Sequence, residues 1–410
     1  MTQRFIPFRK TDIVQMSKVH IEPKQHHSFE QLCRLLSSVL HFEYHTLLER
    51  LKDNYAPFDP NSDTQLVLNL TESQKQSCQQ AFAIDFATIL NAANFEKITE
   101  QDLTDALNEE SLFKIRLAVS FEDFAEVVFY RRGESIKNET LLTWWGLKKE
   151  TIEFTHYDRV AVFIRFKNEA YFEQKGKKPF GFEPGSTIVK LFQNVPKADL
   201  EMLFPNSEVR MRPIDKVVIG ASAAIGGIVV LVTKLGASLL LLAALLAYWL
   251  GLRAEEVEIT KQHLLTFAIG IGVFASFIFK EWTKFKNRKI KFMKALSDNL
   301  YFKSLDNNAG VFHTLVDCAE EEECKEAILA YAFLLKHSEG LTLTQLDTEI
   351  EQWLADNYHC ELDFEIGDAM DKLIKFNLVE SKGAHYYAKS IEDAKVILDE
   401  RWDNYFDYAN

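Results

Sequence analysis

The hydrophobic positions of the chain change their spacing twice. Over residues 29–54, leucine and valine recur every three or four positions, which predicts an amphipathic helix, and weaker helical patterns follow over 72–90 and 99–108. From residue 113 the period becomes two, and segments such as FAEVVFYRR and RVAVFIRF predict antiparallel strands that are separated at Gly133, at residues 156–158 and by the loop 176–185. Beyond residue 305 the helical spacing returns. The pattern therefore predicts helices, then a sheet of about five strands, then helices.

An apolar block interrupts this pattern between residues 217 and 280. Residues 217–252 carry Lys234 as their one full charge, and a second apolar stretch covers 264–279. Because roughly 17 to 25 helical residues span the hydrocarbon of a bilayer, we predict crossings at 235–252 and 264–280, joined as a hairpin. Residues 217–233 then form either a re-entrant segment or an extra span.

The lysines and arginines around this block predict its orientation. They are dense before residue 217 and after residue 279, and sparse in the loop between the spans. Since basic residues favour the cytoplasmic side, we predict a multi-pass protein of the inner (cytoplasmic) membrane with both termini cytoplasmic, or of a mitochondrial membrane in a eukaryote. The first residues contain no secretory or transit pattern.

The predicted fold is an α+β membrane protein in four parts. These are a helical N-terminal region (1–112), an antiparallel α+β domain (113–216), the membrane block with its transmembrane helical hairpin (217–280), and residues 281–410. The last part combines a basic juxtamembrane helix with a mainly helical, winged-helix-like domain, because three helical segments precede the strand–turn–strand pattern LVESKGAHYYAKS.

Basic residues after the spans are the candidates for contact with the membrane surface. An amphipathic basic helix can lie on anionic lipid headgroups, although the same residues also fit a plain anchor. Small residues at four-residue spacing predict close helix packing, which could also make a homo-oligomer, and Lys234 is the candidate for a functional residue within the membrane. The surface candidates are Lys284, Lys286, Arg288 and Lys291, and the packing candidates are Gly251, Ala268, Gly272 and Ser276.

The composition argues against a nucleic-acid-binding protein, and local motifs indicate little catalytic or ligand-binding chemistry. A net charge of −13 argues against a nucleic-acid partner, and no pattern indicates a cofactor, a metal site or a catalytic residue. Asp317 and Glu320 resemble a capping box, which places the acidic run 320–323 in the first turn of a helix. Arg131 and Arg132 precede Gly133 and fit either an anion site or, more commonly, a charged turn.

Three segments carry a resemblance to a known family. At FQNVPKADLEMLFPN, TKLGASLLLL and FKNRKIKFMKALSDNLYFKSLDNNAGVFHTLVDCAEEEECKEA, the chain resembles the transmembrane protein 143 family, membrane proteins with a shared domain of unknown function. The resemblance covers roughly residues 113–335. It implies an integral membrane protein, mitochondrial in animals, and it supplies no catalytic residues. Without a transit peptide, this chain resembles a bacterial member.

Three functions remain open at this point. The first is a membrane-tethered scaffold or sensor whose cytoplasmic domains bind a protein partner that the sequence does not identify. The second is an oligomeric transporter or channel lined by Lys234 and glycines. The third is a membrane-associated enzyme acting on lipid or nucleotide, and a catalytic site assembled from distant residues would leave no local motif.

Overall fold

A computed structural model describes the chain except residues 1–2, 63, 65–66, 68, 109–115, 144–147, 179–180, 211–212, 231, 234–235, 253–259 and 407–410. The chain forms two compact units. Unit 1 comprises Met1–Glu109, Ser120–Pro205 and Lys303–Asn410, and unit 2 comprises Glu110–Val119 and Asn206–Phe302.

The helices lie before, within and after the predicted sheet region. In chain order they are α1 (Lys10–Ser17), α2 (His26–Tyr55), α3 (Glu72–Ala92), α4 (Glu100–Asn108), α5 (Glu169–Lys175), α6 (Pro213–Val230), α7 (Gly236–Trp249), α8 (Lys261–Lys303), α9 (Ala309–Lys336), α10 (Leu343–Tyr358), α11 (Ile366–Lys375) and α12 (Ile391–Asp403). The long amphipathic helix predicted over 29–54 is α2, and its buried positions are spaced as the pattern requires.

The strands pair antiparallel, as the period of two predicted. They are β1 (Glu96–Lys97), β2 (Arg116–Ala118), β3 (Phe124–Thr143), β4 (Lys148–Phe166), β5 (Thr187–Pro196), β6 (Glu208–Arg210), β7 (Ser304–Asn307), β8 (Val379–Lys382) and β9 (His385–Ala388). A sheet of order β1-β3-β4-β5-β7 belongs to unit 1, β2 pairs with β6 in unit 2, and β8 pairs with β9. The helices α10 and α11 and the β8–β9 hairpin occupy the predicted winged-helix-like region.

Gly133 does not end a strand, contrary to the prediction. Strand β3 continues through it, and residues 156–158 likewise lie inside β4. The register runs from Arg132↔Arg159 to Glu134↔Tyr157 without a shift, so Gly133 lies opposite Asp158. Gly133 has a φ of +72°, and a Cβ there would stand 2.4 Å from Asp158 Oδ2, so glycine is required. Arg131 and Arg132 therefore belong to a strand and not to a turn.

Two hydrophobic cores hold unit 1 together, and α2 and α9 contribute to both. The first core combines the beginning of α2 and the end of α9 with α10, α11 and α12. The second combines the end of α2 and the beginning of α9 with α3 and with side chains of β4 and β5. The middle of α9 thus lies where the two cores meet.

Asn308 joins the sheet to α9. Its backbone is strained, with φ 50° and ψ −124°, and it is buried. Its N–H donates to Val189 O at 2.6 Å, its Oδ1 accepts from Val189 N at 3.2 Å, and its Nδ2 donates to Asp59 Oδ1 at 3.1 Å. The two bonds to Val189 continue the pairing of β7 with β5, and all three bonds hold the strained conformation.

The membrane block is the principal correction. Across the part of the chain that the structure describes, no helix combines the length and the apolar character needed to cross a bilayer. Helix α7 has 14 residues, so it is ~21 Å long against the ~30 Å of hydrocarbon. Helix α6 is continuous over Pro213–Val230, with Asp215 and Lys216 in its first turn. In α8 the apolar stretch ends at Lys280 and continues into a charged helix.

This finding overturns several predictions together. The α+β membrane fold, the transmembrane hairpin at 235–252 and 264–280, and the multi-pass placement in the cytoplasmic membrane are wrong. The predicted span 235–252 runs past both ends of α7, and the apolar part of the predicted span 264–280 is a short stretch within the longer, charged helix α8, whereas a crossing requires one uninterrupted apolar helix of sufficient length. The α and β elements with an antiparallel sheet are retained.

Candidate ligand-binding site

Four charged side chains are buried in the middle of α9. Glu322, Glu323, Lys325 and Glu326 are each 5% exposed or less, and we call them the α9 charge cluster. The prediction that the acidic run occupies a first turn is wrong, because α9 begins at Ala309 and the run lies three turns inside it. Since an unpaired buried charge is very unfavourable, the partners of these groups define what surrounds the helix.

Glu322 and Lys325 are bound by an irregular segment near the beginning of the chain. Lys325 Nζ donates to Ile6 O at 2.7 Å, to Phe8 O at 3.1 Å and to Glu322 Oε1 at 2.9 Å. The backbone N–H of Ile6 donates to Glu322 Oε2 at 3.0 Å. All three ammonium hydrogens thus have acceptors, which is how a lysine can remain charged while buried.

Glu326 is held in a different way. Asn94 Nδ2 donates to Glu326 Oε1 at 2.9 Å and also to Arg4 O at 3.0 Å. Burial raises the pKa of Glu326 well above its ordinary value, with Glu322 and Glu323 nearby adding to the effect. Burial in such surroundings favours the protonated form of the carboxyl group over the charged form.

Glu323 opens towards α11. Lys372 Nζ lies 2.7 Å from Glu323 Oε2, and this ammonium group stands 5.8 Å from the centre of the Tyr44 ring. Burial raises the pKa of Glu323, and Lys372 opposes the shift. The Tyr44 hydroxyl also hydrogen-bonds to this carboxylate and likewise opposes the shift.

A cavity of about 480 Å³ lies beside the Glu323–Lys372 pair. We call it the α2–α11 pocket. Its apolar surface comes from α2 and α3, and Tyr405 adds a ring near the end of the chain. The apolar and aromatic lining is Phe42, Tyr44, Leu47, Ile89, Ala92 and Tyr405. Pockets of roughly 300 to 1,000 Å³ with an apolar wall and few polar groups are typical of small-molecule sites.

The charged groups of the pocket form pairs in which cations are in excess. Arg50 makes a two-pronged contact with Asp85, at 2.7 Å and 2.6 Å. Lys375 lies 2.7 Å and Arg401 3.1 Å from the same carboxylate, Glu43. Among the residues that line the pocket, three cations, Arg50, Lys372 and Lys375, face two carboxylates, Glu43 and Glu323. Protonation of Glu323 would increase this positive excess.

The structure places the basic candidates on α8, in unit 2. Lys284, Lys286 and Lys291 are exposed on this helix, and Arg288 belongs to it, although nothing is described of its side chain. Lys284 Nζ pairs with Glu281 at 2.5 Å, and Lys286 Nζ stands 5.6 Å from the Trp282 ring centre. These are local contacts along one helix. Lys234 lies outside the described residues.

The helix-packing candidates divide between two helices. Ala268, Gly272 and Ser276 follow one another at four-residue spacing on α8, and an added Cβ at Gly272 would meet nothing within 4 Å. Gly251 follows the end of α7 with a φ of +70°, so it has the conformation of a helix-ending glycine. A close approach does occur elsewhere, because a Cβ at Gly226 of α6 would stand 3.2 Å from the Phe277 ring of α8.

The two arginines that precede Gly133 have interaction partners within the chain. Arg131 pairs with Glu134 and with Glu96, the latter at 3.2 Å. Arg132 donates to Ala93 O at 3.2 Å and lies over the Phe5 and Phe95 rings. Within the described ranges, no group of three or more histidine, cysteine, aspartate or glutamate side chains could hold a metal ion.

The pocket was not identified from the sequence. No local pattern marks Lys372, and the acidic run that contains Glu323 was predicted at a helix terminus. One feature could have indicated its burial. From residue 327 to residue 334 the chain is apolar on every side of α9, which is typical of a helix surrounded by protein, and the charges directly before it lie in the same helix.

Residues 157–310 match the family described as "Protein of unknown function (DUF3754)". This stretch includes β5 and β7 of unit 1 and α6, α7 and α8 of unit 2. No solved structure matches the chain. The residues that line the α2–α11 pocket all lie outside the matched stretch, so the pocket is built by the chain on either side of it.

Proposed function

We propose that unit 1 is an interaction module that binds a small amphipathic monoanion in the α2–α11 pocket and acts as a sensor of it. The observation that carries the proposal is the Glu323–Lys372 pair beside an apolar cavity of about 480 Å³. A structural ion pair would ordinarily be closed over by apolar side chains, whereas here it adjoins open volume.

The lining supports the class of ligand. Leu47, Ile89 and the aromatic rings suit an apolar body, and burying such a body contributes roughly 25 cal/mol per Å². The excess of one cation favours a single negative charge on the polar end. Lys372 is 24% exposed and Lys375 is 50% exposed, so both can turn towards a ligand headgroup.

The position of the pocket supports a sensing role. Tyr44 and Leu47 come from α2, Glu323 from α9, and Lys372 and Lys375 from α11 of the winged-helix-like region. A ligand that engages these lysines competes with Glu43 and Glu323 for them, and so changes the contacts that hold α11 on α2 and α9. Binding a ligand can shift the arrangement of such elements only by its differential affinity for the two arrangements.

This proposal keeps the scaffold or sensor role that was predicted from the sequence, but it does not include attachment to a membrane. We also propose the finer relationship, to a bacterial member of the transmembrane protein 143 family. Its support is the three quoted segments, which overlap the stretch matched to the domain of unknown function.

Calorimetric titration of the full chain with octanoate, octanamide and octanol tests the proposal. We expect octanoate to bind at one site and the two neutral compounds to bind at least about tenfold more weakly, because they lack the charge that the excess cation attracts. Leu47→Trp should abolish binding by filling the cavity.

Lys382→Ala is the matched control, since this lysine is exposed on β8 and does not line the pocket. It should bind octanoate as the wild-type chain does. Lys372→Met should weaken octanoate binding at least about tenfold while leaving octanol unchanged. Equal affinity of octanoate for the wild-type chain and for Leu47→Trp would exclude the pocket as the site.

A further inference from the structure

Residues Gln3–Arg9 form an irregular segment with bends at Arg4, Phe5 and Phe8 that lies over the α9 charge cluster, and we call them the strap. Five of the strap's backbone groups are bound by distant parts of the chain. Ile6 N and O and Phe8 O meet Glu322 and Lys325, Arg4 O accepts from Asn94, and Gln3 O accepts from Asp363 N at 2.9 Å. Gln3 also forms a parallel bridge with Leu362. Such main-chain recognition is the mode by which proteins bind extended peptides.

The side chains of the strap fit separate positions. Ile6 is 2% exposed and joins the first hydrophobic core. Phe8 packs edge-on against Tyr358, with the ring centres 5.7 Å apart. Arg4 forms an ion pair with Glu365. Pro7 stands between the two residues whose carbonyls Lys325 binds, and it has no N–H that would need an acceptor there.

The residues that bind the strap come from elements far from it in sequence. Glu322 and Lys325 are on α9, Asn94 follows α3, and Leu362 to Glu365 precede α11. Each of these elements has its own place in a hydrophobic core of unit 1. The strap adds only a few backbone groups to the charge cluster. The shape of the groove is therefore set by the elements that form it and not by the strap that occupies it.

We propose that this groove is a peptide-binding site that accepts the Gln3–Arg9 strap of a second copy of the chain, in exchange for its own. The strap joins α1 through Arg9, which is the N-cap of that helix and has an extended backbone. A rotation of the backbone dihedral angles at Phe8 and Arg9 therefore redirects the strap without unfolding α1. The occupant is the second copy because the contacts just described already match this sequence. Exchange of an identical segment is a low-cost route to a dimer.

The first test measures binding of a fluorescent peptide with the sequence QRFIPFRK, residues 3–10, to full-length chains. In the wild-type chain the strap competes for the groove, which lowers the apparent affinity by the fraction of grooves that are open. A chain carrying Ile6→Ser and Phe8→Ser should bind the peptide at least about tenfold more tightly than the wild type. Adding Lys325→Met should remove that gain.

Val19→Ser is the matched control, because Val19 is an apolar residue that follows the strap by ten positions in the sequence and is 71% exposed. It should bind the peptide as the wild type does. If the strap variant keeps the circular dichroism spectrum of the wild type and binds the peptide no better than Val19→Ser, the proposal is wrong. The result would then mean that the groove exists only with its own strap in place.

A second test remains decisive if the strap variant does not fold. Chains carrying Arg4→Cys and chains carrying Glu365→Cys are mixed and treated with a short bismaleimide. Because Arg4 pairs with Glu365, an exchanged strap places the two cysteines of different copies together. A crosslinked dimer in the mixture above the level that either chain gives alone supports exchange, and no increase over those backgrounds overturns it.

Discussion

Replacing Lys325 by methionine should release the strap. The substitution keeps the size of the side chain but removes the ammonium that donates to Ile6 O, Phe8 O and Glu322 Oε1 at 2.7 to 3.1 Å. Hydrogen bonds to a charged group contribute ~1.5–3 kcal/mol each, and breaking a buried ion pair costs ~3–5 kcal/mol because the other charge remains. Since the strap can open and let water reach Glu322, we expect the lower end, about 3 kcal/mol.

Amide hydrogen exchange at Ile6 measures this quantity directly, because its N–H donates to Glu322 Oε2 and becomes exchangeable when the strap opens. A loss of about 3 kcal/mol corresponds to exchange faster by roughly 100-fold. Lys336→Met is the matched control on the same helix. Lys336 also pairs with a glutamate, Glu349 at 2.8 Å, but it is 43% exposed, so its loss should cost ~0–1 kcal/mol. Equal effects of the two substitutions on the Ile6 amide would refute the argument from burial.

Three further expectations follow from single contacts. In urea denaturation, Asn308→Ala should lower the free energy of unfolding of unit 1 by ~2–4 kcal/mol, and Asn308→Gly should lower it by ~1 kcal/mol less. Alanine loses two side-chain hydrogen bonds and keeps the backbone strain, whereas glycine relieves that strain. A larger loss with glycine than with alanine would contradict this. Thr342→Ala should cost ~1 kcal/mol in the same assay, since it removes the capping box with Gln345, and no loss would mean that the cap is dispensable. Burial and nearby Lys336 lower the pKa of His20 from 6.5 to about 4, so the folded state binds fewer protons than the unfolded state between these pH values. The contribution of neutral His20 to the free energy of unfolding should therefore be fully present above pH 6.5 and be lost as the pH falls towards 4. The His20 ring resonance in an NMR titration checks this, and a midpoint near 6.5 would contradict it.

The sequence predicted the elements whose pattern is local and uninterrupted. The apolar spacing of α2 and the alternation in β3, β4 and β5 are direct consequences of one buried face, and both appear in the structure. Gly133 misled the prediction because a glycine can end a strand or supply a positive φ within one. Only the position of Asp158 across the sheet distinguishes the two cases.

The candidate site could not be predicted, because its members are far apart in the sequence. The local pattern at Asp317 and Glu320 satisfies a capping rule, yet the pairing of β7 with β5 through Asn308 makes α9 begin earlier, at Ala309. The apolar block shows a related limit. Hydropathy identified the apolar residues of α6, α7 and α8 but not the points at which those helices end.

The most direct test of the proposed function is hydrogen exchange of the full chain with and without saturating octanoate. If the α2–α11 pocket binds the anion, amide exchange should slow over residues 42–50 of α2 and 368–376 around α11, and should not change over 379–388 of the β8–β9 hairpin. Protection that appears elsewhere, or an unchanged exchange pattern under conditions of saturating binding, would contradict the assignment of the pocket.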